Sequence, residues 1–279
     1  MALKIPVKDR IPTYPGRVKL TPVSGQTNTY DLVRADSPVE EGTALNKLLF
    51  DNKAYTVTQN ETVYVNGSTG NDSTGDGSAS APFKTIQAAI NAIPKCLGGF
   101  TVEVDIAAGT YAERVRIEGF YGGRLVVGQA DRTTTVLGIT VMASNSVQLR
   151  ISTVNATGGD GATPLYIGAG SQVLLGRHMT INCASLVDIG VGVEQNSSLS
   201  ALGVSLNVNG SNLIGVLAKQ GGKIALEIVG GSSNAGVGLR AENGSSITYV
   251  TKSIAATSNF LTIGGGKIYT GAQTSIPNY

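Results

Sequence analysis

Acidic side chains are few in this chain of 279 residues, 19 in all, so the places where they gather show where chemistry could sit. Within residues 100–279 the densest run lies between positions 103 and 132, where Glu103, Asp105, Glu113, Glu118 and Asp131 are interleaved with Arg114, Arg116 and Arg132. Two carboxylates held roughly 5–10 Å apart would suit hydrolysis of a glycosidic bond, one as acid and one as base or nucleophile. Asp105, Glu113 and Asp131 are the candidates for that work, and the competing expectation is a solvated face of opposite charges. A second group, Asp72, Thr74, Asp76 and Gly77, falls at positions 1, 3, 5 and 6 of a calcium loop. Position 12 of that loop would be Phe83 and not the bidentate Glu, so Asp72 and Asp76 fit an Asx-rich turn better than a metal site. His178 is the sole histidine, and a triad or zinc site would need Asp188 or another ligand to converge on it. A turn or surface role is the simpler expectation. Cys96 and Cys183 lie 87 residues apart without CxxC spacing and read as free thiols. None of these patterns calls for a cofactor.

The composition narrows the classes. There are 37 glycines, no tryptophan and 14 % charged residues, against about 25 % in ordinary domains. Abundant Gly, Ser, Thr, Asn and Val with little charge suits short stacked strands joined by tight turns. A net charge of +2 with no Lys/Arg run argues against nucleic-acid binding. No apolar run reaches membrane-spanning length, and the opening MALKIPVKDR lacks the apolar centre of a secretion signal, so synthesis in a cytoplasm without membrane insertion is expected.

The elements that must hold these residues announce themselves by repetition. GSQV at 170–173, NSSL at 196–199, GGKI at 221–224, GSSI at 244–247 and GGKI at 265–268 share one form: a turn residue, a small residue, a polar or small residue, then an aliphatic anchor. The anchors Val102, Leu125, Val147, Val173, Leu199, Ile224, Ile247 and Ile268 are spaced by 23, 22, 26, 26, 25, 23 and 21 residues. Such a period predicts a solenoid whose coils bury their apolar faces only by stacking. Eight coils at the usual strand spacing of ~4.8 Å would make a rod of roughly 40 Å. Glu194, Lys219 and Glu242 each stand five residues before an anchor, which predicts an alternating-sign ladder on the outer wall. Aliphatic residues exceed what inward positions can absorb between Leu213 and Ile228, which suggests a homo-oligomer such as a trimer.

Three segments follow: an arm over 1–60, a strand, loop and capping helix over 61–99, and the rod over 100–279. Five of nine prolines lie in the arm, which reads as extended with one edge strand over 17–22 and a short helix over 43–50. In residues 82–93, Phe83, Ile86, Ile90 and Ile93 recur at helical spacing, and Pro94 ends the helix.

Two resemblances attach to these segments. The run PGRVKLTPVSGQTNTYDLVRADSPVEEGTALNKLLFD at 15–51 resembles the N-terminal segment of structural proteins from tailed phages of Gram-positive bacteria. It implies a module that attaches to other virion proteins, with Arg17, Tyr30, Asp31, Arg34, Asp36 and Asn46 as its marker residues. The run YVNGSTGNDSTGDGSASAPFKTIQAAI and the later GTYAERVRI resemble pectin-lyase-like proteins. They imply an all-β, right-handed parallel β-helix with a short N-terminal capping α-helix. Together they suggest a virion component, a tail fibre, tailspike or baseplate-associated part that displays a rod toward a host-cell-surface polysaccharide. A decoration protein without a receptor, and a polysaccharide depolymerase, are the alternatives. Turn residues in 207–212 and 230–234 are the expected glycan readers.

Overall fold

The computed structural model describes residues 11–12, 18–22, 24, 30–34, 38–40, 56–156 and 163–271. Among these it leaves out the side chains of 184–188, 211–213, 232–235 and 254–255, and before residue 56 it describes only those of Lys19, Leu20 and Ser24. The chain forms two compact units, Leu3–Ala54 and a larger one of Met1–Ala2 with Tyr55–Tyr279. In the smaller unit β1 (Ile11–Pro12) pairs antiparallel with β4 (Pro38–Glu40), and β2 (Val18–Pro22) with β3 (Tyr30–Arg34). The single edge strand expected over 17–22 therefore has a partner. Pro12, Pro22 and Pro38 stand at strand ends, where a missing N–H costs little, so proline density did not mean an unpaired arm. Tyr30, Asp31 and Arg34 sit on β3 opposite Pro22, Thr21 and Val18. Arg17, Asp36, Asn46 and the helix expected over 43–50 lie outside the described residues.

The larger unit is a parallel β-helix with three walls. The first wall stacks β5 (Glu61–Val65), β6 (Thr101–Ile106), β9 (Arg124–Val127), β12 (Val147–Leu149) and β15 (Gln172–Leu175). It continues through the opening stretches of β17 (Ser198–Ala218), β18 (Lys223–Glu242) and β19 (Ser246–Ile263) and ends with β20 (Lys267–Thr270). The second wall holds β7 (Gly109–Thr110), β10 (Thr134–Val136), β13 (Thr153–Ala156) and the start of β16 (Met179–Val193). The third holds β8 (Arg114–Glu118), β11 (Gly138–Met142), β14 (Leu165–Gly168) and the end of β16. The strands β16 to β19 run on around the corners from wall to wall, so one long strand contributes to several ladders.

All eight anchors are direct partners: Val102 faces Leu125, then Val147, Val173, Leu199, Ile224, Ile247 and Ile268 in unbroken register. From Val102 to Ile247 they are at most 4 % exposed. On the third wall the inward column runs Val115, Ile139, Leu165, Val191, Val216, Leu239 and Phe260. A one-residue slip would turn a whole column outward, so burial itself fixes the register.

Between the third wall and the next coil the chain reverses through two residues with positive φ. These are Ala169 and Gly170, Gln195 and Asn196, Gln220 and Gly221, Asn243 and Gly244, and Gly264 and Gly265, with φ from 51° to 79°. Each turn is closed by a hydrogen bond from the next residue's N–H to the carbonyl three back, at 3.1–3.2 Å. Successive turns are also joined to one another, as in Gly170 N to Gln195 O at 3.0 Å and Asn196 N to Gln220 O at 3.0 Å. The small residue after each of the first four turns, Ser171, Ser197, Gly222 and Ser245, is buried, and Gly266 after the last is half-buried. The N–H of Phe120 donates to Ser144 Oγ, that of Ser144 to Ser171 Oγ and that of Ser171 to Ser197 Oγ, all at 3.1 Å. At Gly222 a Cβ would lie 2.1 Å from the Val193 carbonyl oxygen, which is why this position of the repeat holds glycine and not serine.

The predicted ladder of Glu194, Lys219 and Glu242 is corrected in part. Their backbones do stack, since the preceding residues Val193, Ala218 and Ala241 are register partners. However, Glu242 is buried at 8 % exposure and pairs with Arg240 on its own strand. Among the described residues no ion pair joins Lys219 to Glu194 or Glu242. The short reach between positions 240 and 242 wins over the longer one between coils.

Two substitutions test this account in urea unfolding. Gly222→Ser is expected to destabilise by about 1–3 kcal/mol through overpacking. Glu242→Lys leaves a buried cation beside Arg240 and is expected to cost about 3–5 kcal/mol, whereas Glu194→Lys should stay within about 0.5 kcal/mol.

Candidate functional site

The amino-terminal end of the rod is closed by α1 (Ile86–Ala92), shorter than the 82–93 expected. The helix starts late because Phe83 is still bonded as part of the wall: its N–H donates to Tyr64 O at 3.0 Å and its carbonyl accepts from Asn66 N at 2.8 Å. Phe83, Ile86, Ile90 and Ile93 are all buried, and Ile86 and Ile90 fully so. The first N–H groups of a helix lack partners within it, and here three side chains supply them. Asp72 Oδ1 accepts from Lys84 N and Thr85 N at 2.7 and 2.9 Å, and its Oδ2 accepts from Thr85 Oγ1 at 2.8 Å. Glu113 takes Ile86 N and Gln87 N, one on each oxygen, at 2.8 and 2.9 Å. Thr85 Oγ1 accepts from Ala88 N at 3.2 Å. Gln87 then completes the edge of the third wall, because Arg116 N donates to its Oε1 at 2.7 Å and its Nε2 donates to Arg116 O at 3.1 Å. One side-chain amide thereby takes the place of a missing strand against β8.

Asp72 and Asp76, the two calcium candidates, are thus occupied in local structure. Burial alone would raise the pKa of Asp72, but the hydrogen bonds from Thr85 and Lys84 outweigh it and hold the carboxyl below its ordinary value. Asp76 Oδ1 accepts from Ser78 N at 2.9 Å, and its carboxyl is likewise held low by Ser78. Asn66 and Asn71 make matching Asx turns in the same loop. Among the described residues no three His, Cys, Asp or Glu side chains gather as a metal group would require.

The three catalytic candidates stand in three different settings. Glu113 lies under α1. Asp105, at the corner of the first and second walls, is paired with Arg132. Asp131 is exposed in the loop between β9 and β10. Around Asp105 the charges act as straps between coils. Arg150, just after β12, reaches Glu103 on β6 at 2.9 Å across the coil of β9, whose outward Val126 is 3 % exposed. Arg177 reaches the carbonyls of Gln129 and Arg132.

His178 has a partner that the sequence did not reveal. Its Nδ1 accepts from Ser205 N at 2.8 Å and lies 2.9 Å from Ser205 Oγ, so Nδ1 carries no proton and the exposed ring is the Nε2–H tautomer. The two residues occupy the same corner on successive coils, and the backbone N–H bond marks this as a structural lock. Cys96 and Cys183 are free, the second buried. Among the described residues no helix is long and apolar enough to cross a membrane.

The second wall was not anticipated as a surface. Its outward column is Thr110, Thr135, Thr153, Thr180, Asn207, Gly230 and Ser253, each the register partner of the next. Beside it stand Asn155, Asn182 and Asn209, with Asn182 Nδ2 donating to Asn155 Oδ1 at 2.8 Å and Asn209 Nδ2 to Asn182 Oδ1 at 2.9 Å. The stretches 207–212 and 230–234 were expected as turns; the structure places them in β17 and β18. Turn-like composition there reflects a wall that is polar outside and tightly stacked.

The carboxylate cap predicts a pH dependence. Asp72 has a folded-state pKa below that of the unfolded chain, so its contribution is complete above about pH 4 and is lost as pH falls through the folded value. Asp72→Asn is expected to be less stable than the native chain at pH 7 and to converge with it in acid, as read by thermal unfolding across pH. Glu113→Ala is expected to cost about 1–3 kcal/mol at pH 7 and to speed amide exchange in α1.

Compared with known protein families, with characterised proteins and with solved structures, the chain matches none.

Proposed function

We propose that the protein is a structural component of a tailed-phage virion, a tail fibre, spike or baseplate-associated part. Residues 1–60 attach it to other virion proteins, and the β-helix is displayed for attachment to a host-surface glycan. The phage assignment rests on the string at 15–51. The attachment role rests on one observation, a continuous outward column of Thr, Asn, Gly and Ser along the second wall, uncharged from Thr110 to Ser253. A rigid wall that repeats one set of hydroxyl and amide groups offers many weak contacts to a repeating polymer, and repetition raises avidity steeply. Of the carboxylates that a depolymerase would use, Glu113 is tied into the cap and Asp105 into an ion pair with Arg132, which favours binding over cleavage. Leu174 and Tyr269 stand in one outward column of the first wall, 37 % and 48 % exposed, and that wall is the surface through which three copies would associate.

Labelled full-length protein is expected to adhere to Gram-positive cells and to lose that adherence when surface glycans are stripped. Absence of adherence to any glycan-bearing host would leave only a decoration role. New reducing or unsaturated ends after incubation with wall polysaccharide would make it a depolymerase. Mass in solution should be three times the 28.6 kDa of one chain; a monomer overturns the trimer.

A further inference from the structure

We infer that the glycan bound is a neutral, hydroxyl-rich polysaccharide, and that it lies along the second wall over Thr153, Thr180 and Asn182, ending at a polar saddle over Gly230. This rests on the attachment reading above and specifies its ligand and site. Three features of that wall carry it.

First, the groups are fixed before any ligand arrives. Asn182 donates to Asn155 and accepts from Asn209, so its carboxamide plane is set by its neighbours. Each of its polar atoms spends one bond along the ladder, which leaves one N–H and one lone pair directed away from it. A side chain already ordered in the fold loses little rotamer freedom on binding. Threonines stacked at Thr135, Thr153 and Thr180 add hydroxyls in the same register, each a donor and an acceptor.

Second, the wall selects on charge. Both columns are free of Asp, Glu, Lys and Arg, while the adjoining corner concentrates Glu103, Asp105, Arg132, Arg150 and Arg177 in ion pairs and carbonyl contacts. An anionic polymer would find no cation in the columns to offset its desolvation, and a cationic one no anion. A neutral polyol meets matched donors and acceptors.

Third, Gly230 interrupts the column where two oxygens converge. Asn207 Oδ1 and Ser253 Oγ lie 2.7 and 2.9 Å from the point a Cβ would occupy there. Asn207 offers an acceptor and Ser253 both donor and acceptor, which is the complement of a sugar hydroxyl. Both atoms are ends of side chains that can move aside, so Gly230→Ala displaces them without straining the wall's backbone.

Affinity electrophoresis of the full chain through gels containing dextran, galactomannan or dephosphorylated neutral wall polysaccharide tests this, with polygalacturonate as the anionic comparison. Retardation by at least one neutral polymer is expected, weakened about tenfold by Thr180→Val and by Gly230→Ala, with unchanged thermal unfolding. Lys223→Ala, on the first wall, should bind as the native chain does. Retardation by polygalacturonate alone, or by none of the four, overturns the neutral ligand. Retardation unaffected by Thr180→Val and Gly230→Ala overturns the site. In each of these cases continued adherence to cells leaves the attachment reading standing, whereas loss of adherence by the native protein removes both.

Discussion

Two consecutive residues in the left-handed region end each coil from residue 169 onward, and the direction of every later side chain follows from them. The reversal is tight enough that the next residue must be small and buried. The residue after that points out, and the next one points in. Because the turns are hydrogen-bonded to each other as well as closed on themselves, the corner is itself a ladder. Stacking of Val173, Leu199, Ile224 and Ile247 is then a consequence of corner geometry together with the burial of aliphatic surface. Left-handed backbone is costly for most residues, and the second corner position is Gly or Asn at every one of these turns, whereas the first also holds Ala169, Gln195 and Gln220.

The few charges are placed where stacking alone does not suffice. At the amino-terminal end there is no preceding coil, so Asp72, Glu113 and Gln87 supply the bonds that a neighbour would have made. Where the corner between the first two walls widens, Arg150 and Arg177 reach across coils. Farther along, Arg240 and Glu242 pair within one strand. The outward Thr and Asn columns of the second wall are neutral, and the order of the Asn column comes from amide-to-amide bonds instead of ion pairs.

Much of this was readable in the sequence, because corner chemistry and anchor burial are local. GSQV, NSSL and GGKI encode a turn, a buried small residue, an outward residue and an inward one in four letters. The roles of Glu113 and His178 were not readable that way. Each acts on a group 26 or 27 residues distant, and only the register of stacked coils says which residue that is. The Asn155, Asn182 and Asn209 ladder did leave a signal, since its members are spaced by 27 and 27, the same spacing as Thr153, Thr180 and Asn207. The same period runs along the outside of the repeat, where polar residues mark it less plainly than the aliphatic anchors do inside. Glu242 was misplaced because a two-residue reach to Arg240 within a strand was outside the pattern of coil-to-coil pairs.

The carboxylate of Glu113 also links the start of the rod to the order in which the chain is made. Ile86 and Gln87 leave the ribosome well before Glu113, by about one to five seconds at ordinary synthesis rates. Through that interval α1 has Asp72 and Thr85 to hold its first turn but not the acceptor for its next two N–H groups. Two of the bonds that complete its amino-terminal turn therefore come from a coil made after it.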